Sequence, residues 1–498
     1  MFIFVLCLYF VMAKDTGAKI SVKKDEDFSE WFTELMQKAE LADIRYNIKG
    51  FPVYRPWAVR SIKKITRLWE AELEARGHEP VLFPLLIPES NFHKEADHVK
   101  GFTPDVFWVT HGGDKEFEER YALRPTSETA MYDMYGKWIQ SYTDLPMKTY
   151  QSVNVFRYES KMTRPFMRTR ELHWTEAHNV FATQEEALKD AKENLEITEK
   201  LLFGVMAIPH IFFERPAWDK FPGADRTFAA DVLLPSGKVL QLPSSHMISQ
   251  NFSKAFDVKF IDENEKETYA WITCYGPCHS RNYGALITFH GDDLGLRLPW
   301  DIAPKHIVIV PLLFKGKEEM VLAEANKLKE KLSKDYEVII DTRENVTPGF
   351  KFNHWEMKGV PVRIEIGPRD IENQEVVVFR RDISEKLSVK LVDLDKHLQG
   401  IKETFTENMK TQAVEVIKEK TKDADTAEDI KKFIEEGNMV RTNFCSVEMD
   451  GEACAEIVEK DIGAEVRGVM FGKEEKAKGK CPFCGKEAKC VVYIAKSH

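Results

Sequence analysis

Two short runs, VNVF (153–156) and LHWTEAHNVF (172–181), alternate apolar and polar positions, and the residues between them are rich in arginine and hold one proline. Period two marks strands and the basic, proline-bearing stretch marks a turn, so the segment predicts a β-hairpin. Alternation sends Arg157 and Glu159 to one face of the first strand, and Arg168, Leu172, Trp174, Glu176 and His178 to one face of the second. An ordinary amphipathic hairpin with surface ion pairs is the plainer reading, but isolated surface pairs rarely need aromatic neighbours on their own face. Converging arginines suit a polyanion, because the planar guanidinium stays charged and grips carboxylate or phosphate oxygens in pairs.

Upstream, FSEWFTELMQKAEL reads as an amphipathic helix, and a second helical pattern runs from about Val59 to Arg76. Strands up to about Pro304 are mostly hairpin-connected, which predicts an antiparallel sheet flanked by helices. From His306 the pattern changes. HIVIVP, a helix from about Glu318 to Leu332, YEVII, a helix around Lys351, VRIEI, EVVVF and a final helix alternate as in a compact α/β module. A long polar helical region follows Leu394, then a cysteine-rich tail.

At 498 residues with 43% hydrophobic content, two or three domains with sizeable cores are expected. A formal net charge of −10 is unusual for a nucleic-acid binder, so RNA would have to meet local basic patches on an uneven surface. For any single Lys-rich helix, a solvated face is the simpler account. The opening MFIFVLCLYFVM is too short to span a bilayer and lacks the basic start of a secretory signal. Translation is expected to begin at Met12, which would leave the apolar leader, residues 1–12, untranslated as far as Val11, in a cytoplasmic protein with no membrane partner.

Cysteines fall at 7, 274, 278, 445, 454, 481, 484 and 490. In CPFCGK, two thiolates two residues apart can hold one ion while the glycine permits the tight turn. Five tail thiols compete for the four places of a tetrahedral zinc shell, and reduced structural thiols without metal are the alternative. Cys274, Cys278 and His279 also invite a metal reading, but only three donors are visible and Arg281 beside them would repel a cation.

FRYE followed by RPFMRTREL and the W, E and H beyond it resembles motif 2 of class II aminoacyl-tRNA synthetases, and the surrounding text is similar to prolyl-tRNA synthetase of the archaeal and eukaryotic type. FPVYRPWA, the helix after it and VLFPLLIPES with Pro84 resemble motif 1, which normally builds a dimer interface. SRNYGALITFHGDDLGLRLPWDIAP resembles motif 3, with Arg281 at its arginine and Gly295 within its glycine-containing helix entry. The likeness covers nearly all of the chain from Phe28 and implies an α+β fold: a class II catalytic domain over 13–304, an α/β anticodon-binding domain over 305–405 and a small zinc-binding domain over 406–498.

It also implies ATP-dependent ligation of L-proline to tRNA(Pro) through a prolyl-adenylate, by a homodimer using Mg2+ and a structural Zn2+. Catalytic roles would fall to Arg157, Glu159, Arg168 and Arg281. Proline would meet Thr126 and Glu128 of LRPTSET together with Arg157, Trp174, Glu176, His178, Phe221, Ser244 and His246. ATP would meet Arg157, Glu159, Arg168, Leu172, Gln241 and Arg281. The anticodon would meet Lys351, Arg363 and Arg369, although each could equally be a solvated strand-edge charge. Among the tail thiols, Cys445, Cys454, Cys481 and Cys484 match the order of the family's zinc domain, leaving out Cys490.

Leu172 departs from the usual adenine-stacking phenylalanine and KSH from a terminal tyrosine, and no large editing insertion fits between His178 and Arg281. A catalytically silent paralogue that binds RNA would have lost phosphate-binding arginines, yet Arg157, Arg168 and Arg281 are all present. A synthetase of the threonine kind would need an active-site zinc, for which the sequence offers no convincing ligand set.

Overall fold

The expected hairpin lies near one edge of a much larger sheet. In the computed structural model, which describes residues 19–96, 106–160 and 162–498, β1 (Met147–Phe156) and β2 (Glu171–Phe181) run antiparallel with Val153 opposite Trp174 and Gln151 opposite Glu176. Strands β3 (Ile211–Glu214), β4 (Arg226–Leu233), β5 (Lys238–Ser249) and β6 (Trp271–Gly276) extend it in the order β3-β4-β5-β6-β2-β1, every pair antiparallel. Register decides the chemistry here. Thr149, His178, Cys274, His246 and Thr227 stand side by side across five strands, so their side chains share one face.

Helix α1 (Pro56–Glu74) begins with proline, whose missing N–H costs nothing at that position, and buries Trp57, Ile62, Ile65, Trp69 and Leu73 along one stripe. Helix α2 (Glu128–Trp138) follows the LRPTS loop. Helix α3 (Gln184–Glu199) is started by a capping box between Thr183 and Glu186. Helix α4 (His279–His290) is buried nearly all round, and Arg281 is its one residue that is not buried.

The cysteine-rich tail adds strands to the same sheet. β7 (Met439–Phe444), β8 (Glu465–Met470) and β9 (Cys490–Ser497) pair in the order β7-β9-β8, and β8 continues onto β3 with Val469 opposite Glu214. β9 also runs parallel to β5, placing Lys238 opposite Lys496 and Val239 opposite Ser497. Residues 42–290, 298–304 and 400–498 accordingly cluster as one unit.

A second unit holds the described residues up to Leu41 with Gly291–Arg297 and Lys305–Gln399. Its five-stranded sheet orders Val338–Ile340, Ile307–Pro311, Val362–Ile366, Glu375–Arg380 and Glu385–Lys390, the first three parallel and the last two antiparallel. The amphipathic helix Phe28–Lys38, expected to lead into the catalytic block, packs in this unit instead. Trp31 Nε1 donates to the Asp292 carbonyl at 3.2 Å, and Lys358 Nζ donates to the Ala39 carbonyl at 2.8 Å. Gly295 closes a turn with Asp292 rather than entering a helix. Its φ of +132° and a would-be Cβ 2.3 Å from Met357 Cα leave room for glycine alone.

The apolar leader, residues 1–12 with Cys7, lies outside the described residues. Among those described, no helix is long and apolar enough to cross a membrane.

Candidate active site

Loop, hairpin and neighbouring strands meet at one buried polar pocket. Thr126 Oγ1 donates to Glu128, which sits at the first position of α2, where the helix dipole favours a carboxylate. Ser127 N donates to Glu176 Oε2 at 3.2 Å and Gln151 Nε2 to Glu176 Oε1 at 2.8 Å. Burial alone would drive Glu176 towards its neutral form, but His178, Ser127 and Gln151 hold its carboxyl below the ordinary range.

His178 is fully buried, with Nδ1 2.9 Å from the Tyr132 hydroxyl and Nε2 3.4 Å from Glu176 Oε2. Burial opposes its charge, yet the bond to Glu176 and the charges of Glu128 and Glu176 raise its pKa above 6.5. His246 is held between Thr227 Oγ1 at 3.0 Å and Ser244 Oγ at 2.9 Å, with the Phe221 ring 4.7 Å away. Burial first, then the charges of His178 and Arg215, lower His246 to about 3, so it is a neutral hydrogen-bonding group.

A β-bulge opposite Asp231 brings Gln241 onto this face, because Asp231 pairs with Gln241 while Ala229 pairs with Ser244. Gln241 Oε1 accepts from Arg215 Nη2 at 2.9 Å, and Arg215 is clamped by both oxygens of Asp231 at 3.0 and 2.6 Å. Arg467 of β8 donates to Asp231 at 2.7 Å.

The arginines gather where the hairpin turns. β1 ends at Phe156, so Arg157 and Glu159 lie just beyond the strand, and Arg168 sits on the turn, bridged to Arg164, rather than on β2. Arg157 keeps solvent access, donates to the Pro125 carbonyl at 3.2 Å and covers the Trp174 ring at 5.2 Å. Desolvation by the surrounding protein, then the like charge of Arg281, lowers its proton affinity. Arg168 lies 3.9 Å from Glu159 and donates to the His498 backbone oxygen at 3.2 Å, while Arg281 donates to the Met167 carbonyl at 3.2 Å. His498 reports the local field: burial, then Arg164, Lys238, Arg168 and Arg281, push its pKa down to about 4. Clustered like charges of this kind suit an anionic ligand. Leu172 is 3% exposed and packs with Val155, Cys278 and Trp174.

In the tail, the sulfurs of Cys445, Cys454, Cys481 and Cys484 all lie within 4.8 Å of one another, and Cys445 and Cys454 are 3.6 Å apart. Four converging thiols fit a tetrahedral metal shell. Gly485 (φ +70°) turns the knuckle, while the Cys490 thiol is directed at the Phe444 carbonyl.

The chain matches the tRNA synthetase class II core domain (G, H, P, S and T) over residues 107–289, the anticodon binding domain over 306–401 and the prolyl-tRNA synthetase C-terminal domain over 427–498. It is 48% identical to the proline-tRNA ligase of Thermofilum pendens over 96% of this chain and 99% of that protein. The chain belongs to the proline-tRNA ligase family of class II aminoacyl-tRNA synthetases. Another family member, from Methanopyrus kandleri, is 41% identical over 95% of this chain and 96% of its own length. A solved Giardia lamblia prolyl-tRNA synthetase in complex with prolyl-adenylate superposes with a TM-score of 0.92 at 35% identity, covering 96% of this chain and 99% of that one.

Within this synthetase family the residues singled out from the sequence divide by location. Thr126, Glu128, Trp174, Glu176, His178, Phe221, Ser244 and His246 line or adjoin the pocket, and Arg157, Arg168 and Arg281 stand at the hairpin's turn end. The three anticodon candidates separate. Lys351 is buried and donates to the Asp341 carbonyl at 3.0 Å. Arg363 is buried between the rings of Phe352 and Phe379 and paired with Glu356 and Glu365. Arg369 alone of the three faces solvent.

The sequence reading passed over Ser127, Gln151, Tyr132, Thr227 and Arg215. Ser127 was in view inside LRPTSET, and Gln151 could have been found by counting strand register outward from the turn. The Cys274, Cys278 and His279 trio does not form a donor set. Cys278 packs against Leu172, and Cys274 Sγ points at Glu128 Oε1, 3.5 Å away.

Proposed function

We propose that the chain charges tRNA(Pro) with L-proline, first forming prolyl-adenylate from ATP and then passing the prolyl group to the terminal ribose. The observation that carries the reading is a buried cluster of carboxylates, histidines and hydroxyls, with arginines gathered at the turn end of the same hairpin. A secondary ammonium with two N–H donors suits Thr126 and Glu128, and Trp174, His178 and Phe221 can wall its five-membered ring. Ser244 and neutral His246 complete the polar rim. A small apolar ring pocket discriminates weakly, so some alanine or cysteine activation is expected.

A carboxylate is already a nucleophile, so attack on the α-phosphate needs no general base. It needs positioning and neutralisation of charge. Arg157 would bridge the proline carboxylate and α-phosphate, Glu159 would meet the nucleotide or the tRNA end, and Arg168 and Arg281 would hold the β/γ-phosphates and adenine. Gln241, whose oxygen is taken by Arg215, presents its amide N–H groups to the nucleotide. Mg2+ supplies the remaining countercharge on the phosphates.

Solvent-facing Arg369 is the anticodon contact to test, whereas Lys351 and Arg363 shape the unit that carries it. Cys445, Cys454, Cys481 and Cys484 hold a structural zinc. Leu82, Leu85 and Leu86, exposed in the segment that resembles motif 1, support a homodimer, and the setting is cytoplasmic. Amino-acid-dependent pyrophosphate exchange with proline, alanine, cysteine and threonine tests the reading. Exchange driven by proline is expected, and folded protein with no exchange for any of the four would overturn it.

A further inference from the structure

Two neighbouring strands and one helix bring together a donor set the sequence does not reveal. Glu128 at the start of α2, His178 on β2 and Cys274 on β6 each offer one ligand atom, all within 4.8 Å of one another, and all three side chains are buried. His178 and Cys274 face each other across the ladder, and Cys274 Sγ is already 3.5 Å from Glu128 Oε1. Carboxylate oxygen, imidazole nitrogen and thiolate sulfur are the donors that zinc takes, and three protein ligands with an open fourth place are a common arrangement for it.

We propose that this triad binds a divalent zinc-like ion in competition with the amino-acid substrate. Charge favours it. Glu128 and Glu176 are both buried beside His178, so an incoming cation meets two carboxylates. On binding, the Cys274 S–H bond and the His178 Nε2–H bond break, both protons leave to solvent, and the thiolate with the Glu128 carboxylate neutralises the two positive charges of the ion; nothing is oxidised. His178 Nε2 is the coordinating nitrogen, exchanging its 3.4 Å contact with Glu176 Oε2 for the metal, while the Tyr132 hydroxyl keeps Nδ1, the outer-sphere contact that fixes a ligating imidazole. His246 is not among the converging donors, and Thr227 and Ser244 hold its two nitrogens.

Competition rests on the proposed role of Glu128 and His178 as proline contacts, because one carboxylate cannot serve an ammonium and a metal at once. Free zinc should then inhibit proline-dependent pyrophosphate exchange competitively with proline. Cys274→Ser and Cys274→Ala, each scaled to its own rate without added zinc, should need at least about tenfold more zinc for half inhibition, as loss of one ligand implies. Inhibition independent of proline concentration, or equal zinc sensitivity in the variants, overturns the proposal.

A second measurement does not depend on catalysis. Cobalt titrated into the full chain should add thiolate-to-cobalt absorption beyond that of Cys274→Ala, whose tail thiols are intact, and proline should remove the excess. Identical spectra overturn the metal site. An excess that proline leaves in place keeps the site but overturns the competition, and absence of proline-dependent exchange in folded protein without added zinc would instead count against proline as the substrate.

Discussion

Gln151 stands directly across the ladder from Glu176 and donates to its carboxylate at 2.8 Å while also donating to Ser127 Oγ at 2.9 Å. The amide ties strand, carboxylate and substrate loop into one rigid unit. Hydrogen bonds to charged groups are worth about 1.5–3 kcal/mol, and 1.4 kcal/mol is a factor of ten. Gln151→Leu should therefore raise the proline KM in pyrophosphate exchange by roughly ten- to a hundredfold, leaving the ATP KM nearly unchanged. An unaltered proline KM would show that Glu176 is held without it.

Acid should destabilise the catalytic unit earlier than its carboxylates demand. His246 and His279 both have pKa values lowered to about 3, burial being the main cause in each. A depressed histidine contributes stability that is complete above its unfolded pKa of about 6.5 and is lost as pH falls towards 3. Each contributes a slope of about 1.4 kcal/mol per pH unit within that window. Thermal midpoints should drop steadily from pH 6.5 to 4.5, and His279→Gln, away from the pocket, should flatten part of the decline. A midpoint indifferent to pH over that range would refute the assignment.

What the sequence disclosed follows from where its information is local. Period two placed Leu172, Trp174, Glu176 and His178 on one face of a hairpin that is present as read, since alternation survives any packing. Cross-strand facts are not local. That Cys274 lies between His178 and His246 depends on the register of three strands separated by loops, and that Gln241 shares a face with Ser244 depends on a bulge that no composition announces. Basic residues misled most. Lys351 and Arg363 read as surface charges, yet their stems and charges are consumed inside the α/β unit.

Arg467 ties the tail to Gln241, the proposed nucleotide contact, through Asp231 and Arg215. Asp231 is fully buried, and Arg215 and Arg467 keep its carboxyl below the usual range against the cost of burial. Removing one partner of a buried pair costs about 3–5 kcal/mol. Arg467→Ala should lower urea stability by an amount of that order and raise the ATP KM more than the proline KM. Equal shifts in both would place Arg467 outside the nucleotide pathway.

Stripping metal from the tail should loosen β9 where it pairs with β7 and with β5. Chelation, or Cys484→Ser, should remove one zinc per chain and lower the thermal midpoint, because a structural site contributes folding energy directly. Cys490→Ser, whose thiol points at the Phe444 carbonyl, should keep that zinc. Loss of zinc from the Cys490 variant would mean the wrong four thiols were chosen.

Leu172 supplies the sharpest test of the departure from the family pattern. Its side chain is 3% exposed and packed against Val155 and Cys278, so a phenylalanine there must displace neighbours. Overpacking a filled site costs about 1–3 kcal/mol. Leu172→Phe should therefore lose stability by that order in urea melts without lowering the ATP KM. A tighter ATP KM at unchanged stability would instead mean that the ring reaches the nucleotide and that leucine weakens adenine binding in this chain.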